Sequence, residues 1–143
     1  MRYATGLILG LGLLMCSCSS RHEVLRLTSP DGSTDAVVYK TDCGAPCSFG
    51  YEIRLARRGG DSAEKVASLA GAMRSERAWG VDLKWLDADS LSIEYLRADY
   101  ANLVKPAAEI DGHSIKISLR PGVDDAKAPS GGMLNNLRGQ SRN

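Results

Sequence analysis

The chain of 143 residues has little of what metal and nucleophile chemistry requires. It has only two histidines, His22 near the start and His113 in a turn-prone stretch, and no HExxH, Walker or G-x-S-x-G motif. Asp87 and Asp89 begin like a calcium loop, but Leu91 stands where the next oxygen ligand belongs. We therefore assign no catalytic residue, no metal ligand and no cofactor.

Positively and negatively charged residues are nearly equal in number. Removing Arg2 with the leader described below lowers the 18 Lys and Arg residues to the same number as the 17 Asp and Glu residues. The densest basic cluster, Arg54, Arg57 and Arg58, has no interleaved aromatic residues. Nucleic-acid binding needs a positive field or stacking aromatic side chains, so we expect no nucleic-acid partner.

A long hydrophobic run is also lacking. Residues 4–15 form an uncharged apolar stretch after Arg2. This stretch is too short for a membrane-spanning helix, which needs about 20 residues. A positive residue, a short apolar run and then small residues are typical of a secretory signal. We predict export of the mature chain.

The end of this leader, Leu-Leu-Met-Cys-Ser-Cys, resembles the bacterial lipobox, in which the cysteine after a small residue is acylated. Cys18 follows Ser17 and fits better than Cys16, which follows Met15. Cleavage by an ordinary signal peptidase, without lipidation, is the alternative. The resemblance implies a signal peptide over residues 1–17, a lipid linker over 18–22 and anchoring in the cell envelope. It implies the outer membrane if the cell is Gram-negative, because Ser19 rather than Asp follows Cys18.

Alternation of apolar and polar residues predicts a small β-protein over residues 23–121. Tyr51, Ile53 and Leu55 alternate with charged residues, as do the segments VDLKW, LSIEY and IKISL. Turn sequences such as SPDG, DADS and RPG separate these segments. We predict about six or seven strands in an antiparallel meander sheet or sandwich. We expect the aromatic residues Trp79, Trp85, Tyr95 and Tyr100 to belong to its core, with an apolar patch as the alternative.

Two segments lack clear alternation. Residues 62–74 carry Val66, Leu69 and Met73 at helical spacing, which favours a short helix, although Gly71 weakens it. Residues 122–143 show no sustained period and contain Pro129, so we predict a disordered tail.

Three short motifs follow one another along the chain: Ser29-Pro-Asp-Gly, Asp42-Cys-Gly-Ala, and Trp85 before Leu91-Ser-Ile-Glu-Tyr. Together they are similar to the SPDG, DCGA and W…LxIxY pattern of a family of small bacterial lipoproteins of unknown function. The resemblance covers about residues 24–95. It implies a tethered β-domain with a short strand near Val66 and brings no catalytic residue. The family pattern has small polar residues after DCGA, where this chain has Pro46 and Cys47.

Cys43 and Cys47 flank three turn-prone residues. In an exported protein we expect a structural disulfide, with free redox-active thiols or a metal site as alternatives. A redox motif has two intervening residues at a helix N-terminus, whereas here three intervene and a strand pattern follows. We expect a non-enzymatic binding or structural module of the cell envelope, which its lipid anchors to the membrane and which uses one sheet face or edge against an envelope protein. The alternative is a thiol redox protein or sensor.

Overall fold

The structure, a computed structural model, describes residues 20–42 and 48–133. Eleven β-strands and no α-helix form within these ranges. The strands are β1 Ser20–Thr28, β2 Thr34–Asp42, β3 Gly50–Arg57, β4 Ala63–Ala70, β5 Met73–Ser75, β6 Ala78–Trp79, β7 Asp82–Asp87, β8 Ser90–Tyr95, β9 Tyr100–Leu103, β10 Ala107–Ile110 and β11 His113–Pro121. No helix in the described ranges has the length and apolarity to cross a membrane.

The prediction of a mainly β-fold is confirmed. Strands β1 to β4 form an antiparallel meander, and β9 adds to β4, so the first sheet has the order β1-β2-β3-β4-β9. The second sheet has the order β10-β11-β8-β7. Strands β5 and β6 form a separate two-stranded ribbon. The structure has more strands than predicted because β5, β6, β9 and β10 are too short for their alternation to be recognised.

One pairing departs from the antiparallel prediction. Strand β11 lies parallel to β8, with Ile117 opposite Leu91, and antiparallel to β10. A parallel neighbour requires a crossover, and here the crossover is the excursion of β9 into the first sheet and the return of β10 to the second. The chain between β8 and β11 therefore ties the two sheets together.

The two sheets pack face to face around one hydrophobic core, as in a β-sandwich. Residues that alternate with polar neighbours along β3 and β8 point inward and are almost wholly buried. The largest contributions come from Tyr51, Ile53 and Leu55 of the first sheet and Leu91, Ile93, Ile115 and Ile117 of the second.

Strand register defines two ends of the sandwich. At one end Ser20 of β1 lies opposite Asp42 of β2; we call this the Ser20 end. At the other end lies the turn after β1, where the Gly32 N–H donates to the Ser29 carbonyl at 2.9 Å. Gly32 has a φ of +75°, which glycine adopts without strain, and we call this the Gly32 end.

The structure assigns two segments that the sequence left open or placed differently. Residues 63–70 form strand β4 rather than part of a helix, because β3 pairs with one of its edges and β9 pairs with the other. Val66 and Leu69 are buried between the sheets. The strand implied near Val66 by the family resemblance is therefore present. The linker predicted over residues 18–22 also ends early, since Ser20 already belongs to β1.

The disordered tail predicted over residues 122–143 is wrong for residues 122–133. The Trp79 N–H donates to the Gly131 carbonyl at 2.8 Å, and Met133 is 2% exposed within the core. Gly80, at a φ of +125°, lies against Met133, and a Cβ there would collide with the Met133 sulfur. Residues 134–143 lie outside the described residues.

Replacing Met133 with Ala tests whether this segment belongs to the folded domain. Because the side chain is buried, Met133→Ala is expected to lower the free energy of unfolding by about 2–5 kcal/mol. Urea denaturation measures the change. The exposed Lys127→Ala is the control, with an expected change within about 0.5 kcal/mol, and equal effects of the two substitutions would contradict the packing of this segment.

Candidate functional site

All four cysteines, Cys16, Cys18, Cys43 and Cys47, lie outside the described residues. The lipidation and disulfide assignments therefore stay predictions. The structure does place their neighbours: β1 begins two residues after Cys18, and the segment with Cys43 and Cys47 connects the antiparallel strands β2 and β3. The last register pair before that segment is Thr41 with Gly50. Both cysteine-bearing segments therefore join described strands at the Ser20 end.

An aromatic cluster lies at the same end, formed by Phe49, Trp79 and the amino group of Lys40. The two rings meet edge to face, with centroids 6.3 Å apart and an interplanar angle of 78°. The Lys40 Nζ lies 4.0 Å from the Phe49 centroid, which is a cation–π distance. Phe49 and Trp79 are each 38% exposed, so the cluster faces solvent.

The prediction that the aromatic residues belong to the core holds for Tyr95 and for Trp85, which is half-buried against the core. The Trp85 indole N–H donates to the Leu27 carbonyl at 3.1 Å, near the Gly32 end. The prediction is wrong for Trp79 and for Tyr100, which is 56% exposed on β9. Sequence reasoning missed the Phe49–Trp79 pair because the two residues are thirty positions apart in the sequence and only the fold brings them together.

A small acidic pocket of about 170 Å³ lies on the second sheet, lined by Arg74, Asp82, Glu94 and residues 123–125. The Arg74 Nη2 donates to the Asp125 Oδ2 at 2.6 Å and lies 3.9 Å from the Asp82 Oδ1. Small-molecule sites typically have about 300–1,000 Å³, so this pocket is too small for most organic ligands.

The electrostatics of this pocket indicate a structural ion-pair cluster. Burial raises the pKa of Asp82, and the positive charge of Arg74 only partly offsets that effect. The Leu83 N–H also donates to Asp82 at 3.0 Å. Glu94 lies 3.7 Å from the Arg120 guanidinium. Arg74 thus joins β5 to the segment after β11.

Two further carboxylates are held by structural partners. Asp35, 3% exposed, accepts hydrogen bonds from Thr28 at 2.7 Å, Arg26 at 2.8 Å and the Gly59 N–H at 3.1 Å. Burial opposes its ionisation, but these donors hold the Asp35 pKa below its usual value. Glu52 lies within 4 Å of three cations, those of Arg21, Arg54 and Lys65. A carboxylate surrounded in this way is poorly placed to act as a general base.

The histidines and the aspartates of the DADS turn occupy separate places. His22 lies on β1 near the Ser20 end, and His113 begins β11 at the opposite end. The Asp89 N–H donates to the Asp87 carboxylate at 2.8 Å, which is a turn contact. In the part of the chain that the structure describes, no three His, Cys, Asp or Glu side chains are grouped to hold a metal ion.

The edges of the first sheet differ in chemistry. The β1 edge carries Arg21, His22 and Glu23 and a bulge after Glu23, features that discourage pairing with another strand. Strand β9, with the sequence YANL, has no charged residue and no second hydrogen-bonded neighbour among the described strands. Its first three residues are exposed.

The register identifies the free backbone groups of β9. The Val104 N–H donates to the Val66 carbonyl at 2.9 Å, and Asn102 lies opposite Ser68. Hydrogen-bonded pairs alternate along an antiparallel ladder, so the N–H groups of Ala101 and Leu103 point away from β4. Strand β9 therefore offers outward-facing backbone donors to an added strand.

Comparison of the chain with protein-family models, with curated proteins and with solved structures gives no significant match. The resemblance to the lipoprotein family stays a prediction.

Substitution of Asp82 tests the electrostatics of the acidic pocket. Because burial raises its pKa in the folded state, the ionised carboxylate disfavours folding at neutral pH. Asp82→Asn keeps an acceptor for the Leu83 N–H and is expected to raise the free energy of unfolding at pH 7. The gain should fade as the pH falls through the raised pKa and vanish well below 3.8, where Asp82 is protonated in both states.

Denaturant titrations from pH 3 to pH 7 measure this dependence. Asp124→Asn removes the same charge from an exposed neighbour and is the control, with no comparable gain. Destabilisation by Asp82→Asn at pH 7 would show that the attraction of Arg74 outweighs burial.

Proposed function

We propose that the protein is a lipid-anchored, non-enzymatic module of the bacterial cell envelope that binds an envelope protein through the edge of β9. The anchor is Cys18, with Cys16 as the less favourable position, and the membrane is the outer one if the cell is Gram-negative. The observation that carries the binding role is the uncharged edge of β9, whose outward N–H groups have no strand partner in the described part of the chain.

The partner would supply an extended segment. Strand addition takes affinity from main-chain hydrogen bonds and specificity from the side chains on both faces. Tyr100 and Val104, which are 56% and 43% exposed, flank the free edge and offer apolar contacts to such a segment. The carboxylates of Asp35 and Asp125 support a non-enzymatic role, because their partners tie strands and turns together.

We further propose that Cys43 and Cys47 form a structural disulfide. The segment that contains them links two antiparallel strands paired up to Thr41 and Gly50, so a bridge would close the base of this connection. The alternative, a thiol redox protein or sensor, requires an activated thiol, such as one at a helix N-terminus. The described residues on both sides of the segment lead into strands.

Intact-mass measurement tests the anchor and the disulfide together. The protein is extracted from its own membranes and alkylated without a reductant. We expect an acylated chain that begins at Cys18 and carries no alkyl adduct. An unacylated chain would overturn the anchor, and adducts on Cys43 and Cys47 would favour the redox alternative.

Photo-crosslinking tests the β9 edge. A photoreactive residue at the exposed position 102 is expected to capture one specific protein in intact membranes. The same residue at the exposed position 109 on β10, an edge strand of the other sheet, is the matched control and should not capture it.

Ala101→Pro should abolish that cross-link, because proline removes an outward N–H without breaking the β4–β9 ladder. An unchanged urea midpoint would confirm that this variant folds. Cross-links of equal yield from positions 102 and 109, or a cross-link that survives Ala101→Pro, would contradict binding through this edge.

A further inference from the structure

The Ser20 end carries an aromatic cluster that the proposed binding edge does not use. We propose that Phe49 and Trp79, with Lys40, form a membrane-contact surface that enters the headgroup region of the bilayer holding the lipid anchor. This inference rests on the proposed lipidation of Cys18. It adds an orientation of the domain, with the Ser20 end towards the lipid and the Gly32 end away from it.

Chain length fixes how close this surface lies to the anchor. Ser20, where β1 starts, is two positions after Cys18, and an extended chain spans about 3.5 Å per residue. The Ser20 end is therefore within about 7 Å of the acylated residue. No long flexible tether remains to let the domain move away from the bilayer surface.

Strand register places the aromatic residues at the same end of the domain as the start of β1. Phe49 immediately precedes Gly50, which lies opposite Thr41, and Thr41 lies opposite Arg21 near the start of β1. Neighbouring strands are about 4.8 Å apart, so β3 lies about 10 Å from β1. The Phe49 ring then positions Trp79 through their edge-to-face contact. The start of β1, from which the anchor is two positions away, and both rings thus lie within the footprint of one end of the domain.

The chemistry of the cluster suits the boundary between lipid and water. Tryptophan and phenylalanine carry large apolar faces, and an indole ring also has a polar N–H that favours the headgroup level. The Trp85 N–H is used within the protein, whereas the Trp79 indole has no hydrogen-bond acceptor among the residues that the structure describes. The Lys40 amino group, held over the Phe49 ring, is positioned to meet lipid phosphates.

A lipid surface fits this cluster better than a protein partner does. Stable protein interfaces bury about 1,200–2,000 Å² in total and need a broad complementary patch. Here only two rings, each 38% exposed, are available for contact. Such a cluster is too small to hold a protein by itself. The anchor, however, already keeps it at the bilayer, so a weak insertion suffices.

The two tryptophans allow a direct test, because one lies at each end of the domain. Trp85→Phe leaves Trp79 as the only tryptophan, and Trp79→Phe leaves Trp85 as the matched control. Each variant, purified as the full mature protein with its lipid, is inserted into vesicles of phosphatidylethanolamine and phosphatidylglycerol, with or without brominated acyl chains. We expect blue-shifted emission from Trp79 and several-fold greater quenching by brominated lipid than for Trp85.

Equal and weak quenching of the two tryptophans would overturn the membrane-contact surface. So would shielding of Trp79 that occurs in native membranes but not in pure lipid vesicles, since that result identifies a protein partner. If Trp85→Phe does not fold, wild-type protein compared with Trp79→Phe gives the same answer, because the quenched fraction should disappear with Trp79.

The intact mass of the same samples separates the two proposals. Acylated protein with an unquenched Trp79 contradicts the contact surface alone. A chain without acyl groups contradicts the anchor, and the orientation that depends on it falls as well.

Discussion

The burial of two inner sheet faces against each other is the interaction on which the rest of the structure depends. Neither face could remain in water, since each presents a continuous layer of Ile, Leu, Val and Tyr side chains. The polypeptide chain also connects the two sheets, because it leaves the second sheet after β8, adds β9 to the first sheet and returns to the second as β10. The short segments that connect these strands therefore help to fix the spacing between the two sheets.

Charged residues at partly buried positions serve this architecture. Asp35 joins β1, β2 and the turn after β3, and Arg74 joins the ribbon to the segment that follows β11. The hydrogen bonds of Asp35 and Arg74 go to other residues of the domain, and our proposals place recognition at its periphery. Two features of the described surface carry these proposals, the edge of β9 and the aromatic cluster at the Ser20 end. They face different surroundings under our proposals, a protein strand and a lipid surface.

Most of the core could be predicted from the sequence, because alternation along β3, β7, β8 and β11 reports directly which side chains point inward. Residues 62–74 were ambiguous, since buried apolar residues beside a bulge imitate helical spacing. The packing of Met133 on Gly80 and the contact between Phe49 and Trp79 could not be predicted, because each joins residues far apart in the sequence. Such contacts become visible only when the strand order is known.

The position of β11 has a consequence for how the molecule is made. This last strand lies inside the second sheet, between β10 and β8, rather than at its edge. A chain that emerges N-terminus first, from a ribosome or a translocation channel, can assemble the β1–β4 meander early. The apolar face of β7 and β8 stays incomplete until Pro121 has emerged. A chain arrested before that point would expose an unpaired strand edge and half a core, the combination that attracts chaperones and promotes aggregation.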